Sequence, residues 1–166
     1  KTDIMKQMVY KVTTLDEQET FNLGFCMGKN LLGGEIFILD GDLGSGKTAL
    51  AKGLAAGIGS TDIVASPTFT VEHVYKGERL EMHHYDFYRL GELGLMQEEL
   101  QEVLRDNNAI IVVEWPEASV EIMPKEKLLH VQFSKDATRE SVRHMQLEIT
   151  DVQLYIIDNV IREEIQ

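Results

Sequence analysis

The segment Gly41-Asp42-Leu43-Gly44-Ser45-Gly46-Lys47-Thr48 carries the spacing G-x-x-x-x-G-K-[ST]. That spacing lets successive backbone N–H groups curl around a phosphate. Glycine serves there because the chain must approach the anion closely and adopt angles that a Cβ forbids. The expected chemistry is nucleoside triphosphate binding, with Lys47 reaching the β and γ phosphates and the Thr48 hydroxyl ligating Mg²⁺. The metal needs a further acidic ligand from a strand end. Two residues qualify: Glu114, which closes the apolar run Ala109-Ile110-Ile111-Val112-Val113, and Asp86, which follows His83-His84-Tyr85. Either carboxylate could instead only cap a turn. His83 and His84 lie on opposite faces of a strand and cannot both ligate one ion from regular β geometry; a structural role is the simpler reading of each.

The flanking elements suit such a loop. Glu35 to Leu39 reads as a buried strand, and Thr48 to Ala56 reads as a helix whose N-terminus adds a positive dipole. Upstream, Met8 to Thr13 predicts a strand, and Thr14 with Glu17 predicts a capping box. The helix that follows is expected to reach about Leu32, with Phe21, Phe25 and Leu32 on its apolar face. Gly24 and Gly28, one turn apart, permit close helix packing at about 1 kcal/mol each against alanine. Gly33-Gly34 stops it. Thr70 to Tyr75 and Leu80 to Tyr85 alternate around Lys76-Gly77-Glu78 and predict a β-hairpin. An amphipathic helix is expected from about Gly94 to Arg105, with Glu98, Glu99 and Glu102 on a solvated face. Ala109 to Val113 has the continuous apolarity of a strand buried on both faces. Strands near Leu128 to Phe133 and Ser141 to Ile149 pair around Asp136 to Arg139, and a C-terminal helix begins near Val152. The fold class is α/β: a P-loop NTPase-like sheet, parallel at its centre with antiparallel hairpin additions and helices on both faces.

Composition limits the partners. A chain of 166 residues with 43 % hydrophobic and 27 % charged residues reads as one soluble globular domain. The start at Lys1 implies foreign leading residues or numbering that begins inside the natural chain. Cys26 is the only cysteine, so no internal disulfide forms, and its apolar neighbours suggest a buried thiol. No signal-peptide core or membrane-length apolar run occurs, which points to a cytoplasmic protein. The net charge of −12 repels phosphate backbones, and no cluster of five Lys or Arg offsets it. Service to a nucleic acid would then run through a protein partner.

Four segments occur in order: Gly41 to Thr48; Ser66-Pro67-Thr68-Phe69-Thr70; His84-Tyr85-Asp86-Phe87-Tyr88-Arg89-Leu90; and Val113-Glu114-Trp115-Pro116-Glu117. Together they resemble the bacterial tRNA threonylcarbamoyladenosine biosynthesis ATPases, the TsaE family, over nearly the whole chain. The resemblance implies an ATPase that uses ATP and Mg²⁺ and supports TsaD and TsaB. That system installs threonylcarbamoyl on the adenosine beside the anticodon of tRNAs reading codons that begin with A. It implies phosphate and metal roles for Lys47 and Thr48, a metal role for Glu114, and a place for Asp86 near the metal or attacking water. Lys47, Asp86 and Glu114 are thus the expected catalytic groups. Ser66 and Thr68 resemble a nucleotide-sensing switch, and Trp115 matches a tryptophan beside the site that would serve as a partner contact or as a core aromatic. Glu17 and Arg139 match positions near the nucleotide, although Thr138 stands where relatives often have glycine. Ala49 belongs to the nucleotide-binding run but replaces a common second threonine, so no hydroxyl reaches the α-phosphate there. tRNA is expected to be met only through partners.

Rival classes fit less well. A P-loop small-molecule kinase usually needs an arginine-bearing lid, and the arginines here are dispersed. A regulatory GTPase would carry N-K-x-D, which does not occur. A nucleotide-binding regulator that does not hydrolyse is the alternative the sequence excludes least.

Overall fold

The computed structural model describes residues 5–42, 44–63, 72–87, 96–114 and 120–165. Among them, eight strands form one sheet. In chain order these are β1 (Gln7–Thr14), β2 (Ile36–Asp40), β3 (Glu72–Lys76), β4 (Glu81–Asp86), β5 (Ala109–Glu114), β6 (Leu128–Lys135), β7 (Arg143–Thr150) and β8 (Glu163–Ile165). Three helices accompany them: α1 (Glu17–Lys29), α2 (Lys47–Gly57) and α3 (Met96–Arg105). The spatial order is β3-β4-β5-β2-β6-β7-β1-β8. Strands β4, β5, β2 and β6 run parallel, and the outer pairings are antiparallel. The expected parallel centre with antiparallel additions is therefore present.

Parallel strands buried on both faces need continuous apolar sequence, and β5 is buried at every position. Phe37, Leu39, Ile110 and Val112 meet Leu50 and Leu54 of α2 and Leu23 and Met27 of α1 on one face. Ile36, Ile111, Val113, Tyr85 and Phe87 meet Leu100 of α3 and Met123 on the other. Helices thus cover both faces. Burial pushes the Tyr85 phenol well above its ordinary range, and the nearby Glu72 carboxylate adds to the shift.

Helix α1 departs from expectation in three respects. Its N-cap is Asp16, whose side chain accepts from the Glu19 amide, while Glu19 accepts from the Leu15 amide. Thr14 instead shares a 2.7 Å hydrogen bond with the Thr20 hydroxyl, so the box anticipated at Thr14 and Glu17 lies two residues further on. The helix ends at Lys29, short of Leu32. Its buried face is Thr20, Leu23, Gly24, Met27 and Gly28, while Phe25 and Leu32 are exposed. Gly24 and Gly28 explain the choice. A Cβ on Gly24 would lie 2.4 Å from the Leu50 carbonyl of α2, and one on Gly28 would lie 2.6 Å from that of Leu54. Gly53 and Gly57 of α2 face them across equally close backbone. Backbone proximity, not side-chain size, selects the face.

The C-terminal segment also differs. Asp151–Ile157 is a 3₁₀ helix and the chain ends in β8, paired with β1, where a terminal α-helix was expected. Buried Glu35 ties this 3₁₀ segment to the start of β2. Its carboxylate accepts from the amides of Leu32 and Gly33 and from the Tyr155 hydroxyl. Burial and that bond raise the Tyr155 phenol above its usual range. Cys26 is half-buried rather than buried, with its thiol against the Asp158 carbonyl.

Candidate phosphate and carboxylate site

The geometry begins with β2, which ends at Asp40 and releases the chain into the glycine loop. Gly41, Gly44 and Gly46 all take positive φ, at 150°, 73° and 112°. Side chains would be strained at such angles. Gly46 caps α2 with no side-chain bond, leaving the first amides of the helix directed outward. Ser45 is buried and its amide donates to Asp42, closing the turn. Lys47 is also buried and its ammonium donates to the Gly41 carbonyl at 2.5 Å, so the side chain folds back across the loop.

Two strands supply the acidic side. β4 and β5 are parallel and in register, with Asp86 opposite Glu114, both at the carboxyl ends. Open α/β sheets gather ligands at that edge. Both carboxylates line a cleft of about 550 Å³ together with Gly44, Gly46, Lys47, Thr48 and Ala49. A hydroxyl and two carboxylates are oxygen donors of the kind a hard divalent cation takes. No cluster of three His, Cys, Asp or Glu suited to a metal occurs among the described residues. A phosphate-loop site does not require one, because substrate oxygens and water complete the shell. The donor set fits Mg²⁺.

The histidines separate as the alternation of a strand demands. His83 pairs with Glu72 at 3.0 Å on the edge hairpin. His84 is fully buried and its Nε2 lies 3.1 Å from Glu114 Oε2.

Glu17, at the start of α1, lines the same cleft. Arg139 does not; it pairs with Asp136 at 3.4 Å in the β6–β7 turn and is largely exposed. Leu43, Ser66, Thr68 and Trp115 lie outside the described residues. The sequence reading missed Thr20, Glu140, Ser141 and Arg143, which also line the cleft. Arg143 donates to the carbonyls of Glu140 and Val142 and packs its stem near Gly46. No motif marks these residues: Thr20 comes from α1, and the antiparallel β6–β7 hairpin folds Glu140, Ser141 and Arg143 back over the loop from about 100 positions away. Lys135 of β6 approaches Gly44. Cations thus gather at the loop of a chain whose net charge is −12.

A central parallel strand running into a left-handed glycine loop and a helix, with carboxylates on neighbouring strand ends, defines a P-loop protein of the nucleotide-binding class. A family profile described as "Threonylcarbamoyl adenosine biosynthesis protein TsaE" matches residues 14–145. The chain belongs to the TsaE family. It is 38 % identical over 127 residues to the tRNA threonylcarbamoyladenosine biosynthesis protein TsaE of Streptomyces coelicolor, covering 74 % of this chain and 85 % of that one. To the protein of the same name from Bacillus subtilis it is 34 % identical over 141 residues, covering 82 % and 84 %. Among solved structures, Bacillus subtilis YdiB superposes with a TM-score of 0.70 at 26 % identity, covering 95 % of this chain and 96 % of that one.

Proposed function

We propose that this protein is a Mg²⁺-dependent ATPase in the synthesis of tRNA threonylcarbamoyladenosine, acting with TsaD and TsaB. The observation that carries the reading is the single cleft that joins the glycine loop, Lys47 and Thr48 to the paired Asp86 and Glu114. The loop amides and Lys47 bind the β and γ phosphates. Thr48 and Glu114 would hold the Mg²⁺, which would supply positive charge against the phosphates. Asp86 orients the attacking water or holds the metal beside Glu114. Glu17 and Arg143, which line the same cleft, contact the nucleotide beyond the phosphates. Trp115, Ser66 and Thr68 serve the partner and switch functions. The names of the curated relatives support the pathway, and the acidic surface supports contact with tRNA through partners.

Phosphate release from ATP, measured with and without a TsaB–TsaD assembly, tests the proposal. Wild-type protein should turn over ATP, faster with partners, and Asp86→Asn and Glu114→Gln should each lose about 100-fold or more. Undiminished turnover in both variants would place the chemistry elsewhere. Transfer of phosphate to a small molecule would favour a kinase.

A further inference from the structure

We infer that His84 is a positioning residue for Glu114, locking one carboxylate oxygen so that the group faces the cleft in a single orientation. The inference rests on the proposed metal role of Glu114.

The argument starts from register. β4 and β5 pair Asp86 with Glu114 and His84 with Val112, so His84 sits one step behind the carboxylate pair on the same face. Two carboxylates on adjacent strands repel unless a donor or cation accompanies them. His84 supplies a donor: its Nε2 lies 3.1 Å from Glu114 Oε2, with the ring wholly buried and Glu114 3 % exposed. A carboxylate oxygen accepts, so the N–H of this bond belongs to Nε2. Among the described residues Nδ1 has no hydrogen-bond partner. A buried polar atom without a partner is costly, so packing alone does not account for an imidazole here; the bond to Glu114 does. His83 provides the contrast. It pairs with Glu72 and Glu81 at the sheet edge and, among the described residues, is not one that lines the cleft. Partners that orient metal ligands contribute to affinity because an untethered carboxylate must be ordered as the ion binds.

The test is calorimetric. The gain in ATP affinity on adding Mg²⁺ is measured for wild type, Glu114→Gln, His84→Leu, His84→Gln and His84→Asn, with thermal melts to confirm folding. Glutamine places an N–H near the position of Nε2, whereas asparagine is too short to reach Glu114. The inference expects His84→Leu and His84→Asn to lose on the order of 10-fold of the Mg²⁺-dependent gain. It expects His84→Gln to retain the gain, and Mg²⁺-free affinity to stay within about twofold in the three His84 variants. If His84→Leu does not fold, the Asn and Gln pair decides. A wild-type gain in His84→Asn, or an equal loss in His84→Gln and His84→Asn, overturns the inference. A wild-type gain in Glu114→Gln instead overturns the metal role of Glu114 itself.

Discussion

The two faces of the sheet are held by different means. On one, α1 and α2 meet backbone to backbone through Gly24, Gly28, Gly53 and Gly57, with no room for a Cβ at any of the four. On the other, α3 rests on large side chains, with Leu100 buried beside Tyr85, Phe87, Ile111 and Val113. The first face carries the phosphate loop, because α2 begins at Lys47. His84 and Glu114 belong to it too, sharing its side of β4 and β5 with Met82 and Val112. Close-packed backbone cannot relax by changing rotamers, whereas a side-chain core can repack. The difference teaches that the loop sits on the face with the less yielding packing, and it predicts that changes on the opposite face leave the loop in place.

Three substitutions probe this contrast, ordered by their effect on nucleotide affinity. Lys47→Ala removes the charge at the loop and should lower ATP affinity about 100-fold or more, measured by calorimetry, with little change in melting temperature. Gly53→Ala would place a Cβ 2.2 Å from the Phe21 carbonyl and must push α2 away from α1. It should cost about 2 kcal/mol of stability even after the helix-propensity gain of alanine. It should also weaken ATP binding about tenfold, since the start of α2 moves with the helix. Unchanged ATP affinity in a destabilised Gly53→Ala protein would break the comparison. Leu100→Ala on the opposite face should cost about 3 kcal/mol in denaturant unfolding, yet leave ATP affinity within about twofold. A matching loss of affinity there would show that α3 also supports the site.

The smallest effect belongs to the β6–β7 turn. A hydrogen bond from His144, followed by the Thr138 and Arg139 amides, holds the Asp136 carboxyl well below its ordinary value of 3.8. A carboxyl depressed in the folded state stabilises the fold above its unfolded value, and that contribution fades as pH falls toward the folded one. Asp136→Asn should therefore lower the melting temperature slightly at pH 7, with the gap to wild type narrowing below about pH 4. A gap that widens with acid would contradict the assignment.

Sequence resolved what local chemistry encodes. The glycine loop, the strand ends bearing Asp86 and Glu114, and the hairpin turns are each written within a few adjacent residues. Helix α1 shows where that reasoning fails. Phe21 and Phe25 looked like its buried face by hydrophobicity, but the glycines decide because their partner is a second pair of glycines about 30 residues away. The capping box slipped from Thr14 to Asp16 because both residue types cap, and the sequence does not say that Thr14 will bond Thr20. Strand β8 was missed because three residues are too few for an alternation pattern, and pairing with β1 alone defines it. Arg143 entered the cleft through the geometry of β6 and β7, which no spacing rule conveys.

The position of β2 has a consequence for the chain as it is made. Its two hydrogen-bonded neighbours, β5 and β6, both come later in sequence. The strand that presents the glycine loop therefore leaves the ribosome with no sheet to join. At ordinary synthesis rates it waits roughly 5–20 s before the residues of β6 exist. At the start of that interval the loop has its glycines and its lysine; Asp86 and Glu114 follow partway through, and the second strand beside β2 comes only at its end. A nucleotide can stabilise only the nearly finished chain, as a ligand that closes the fold and not one that nucleates it.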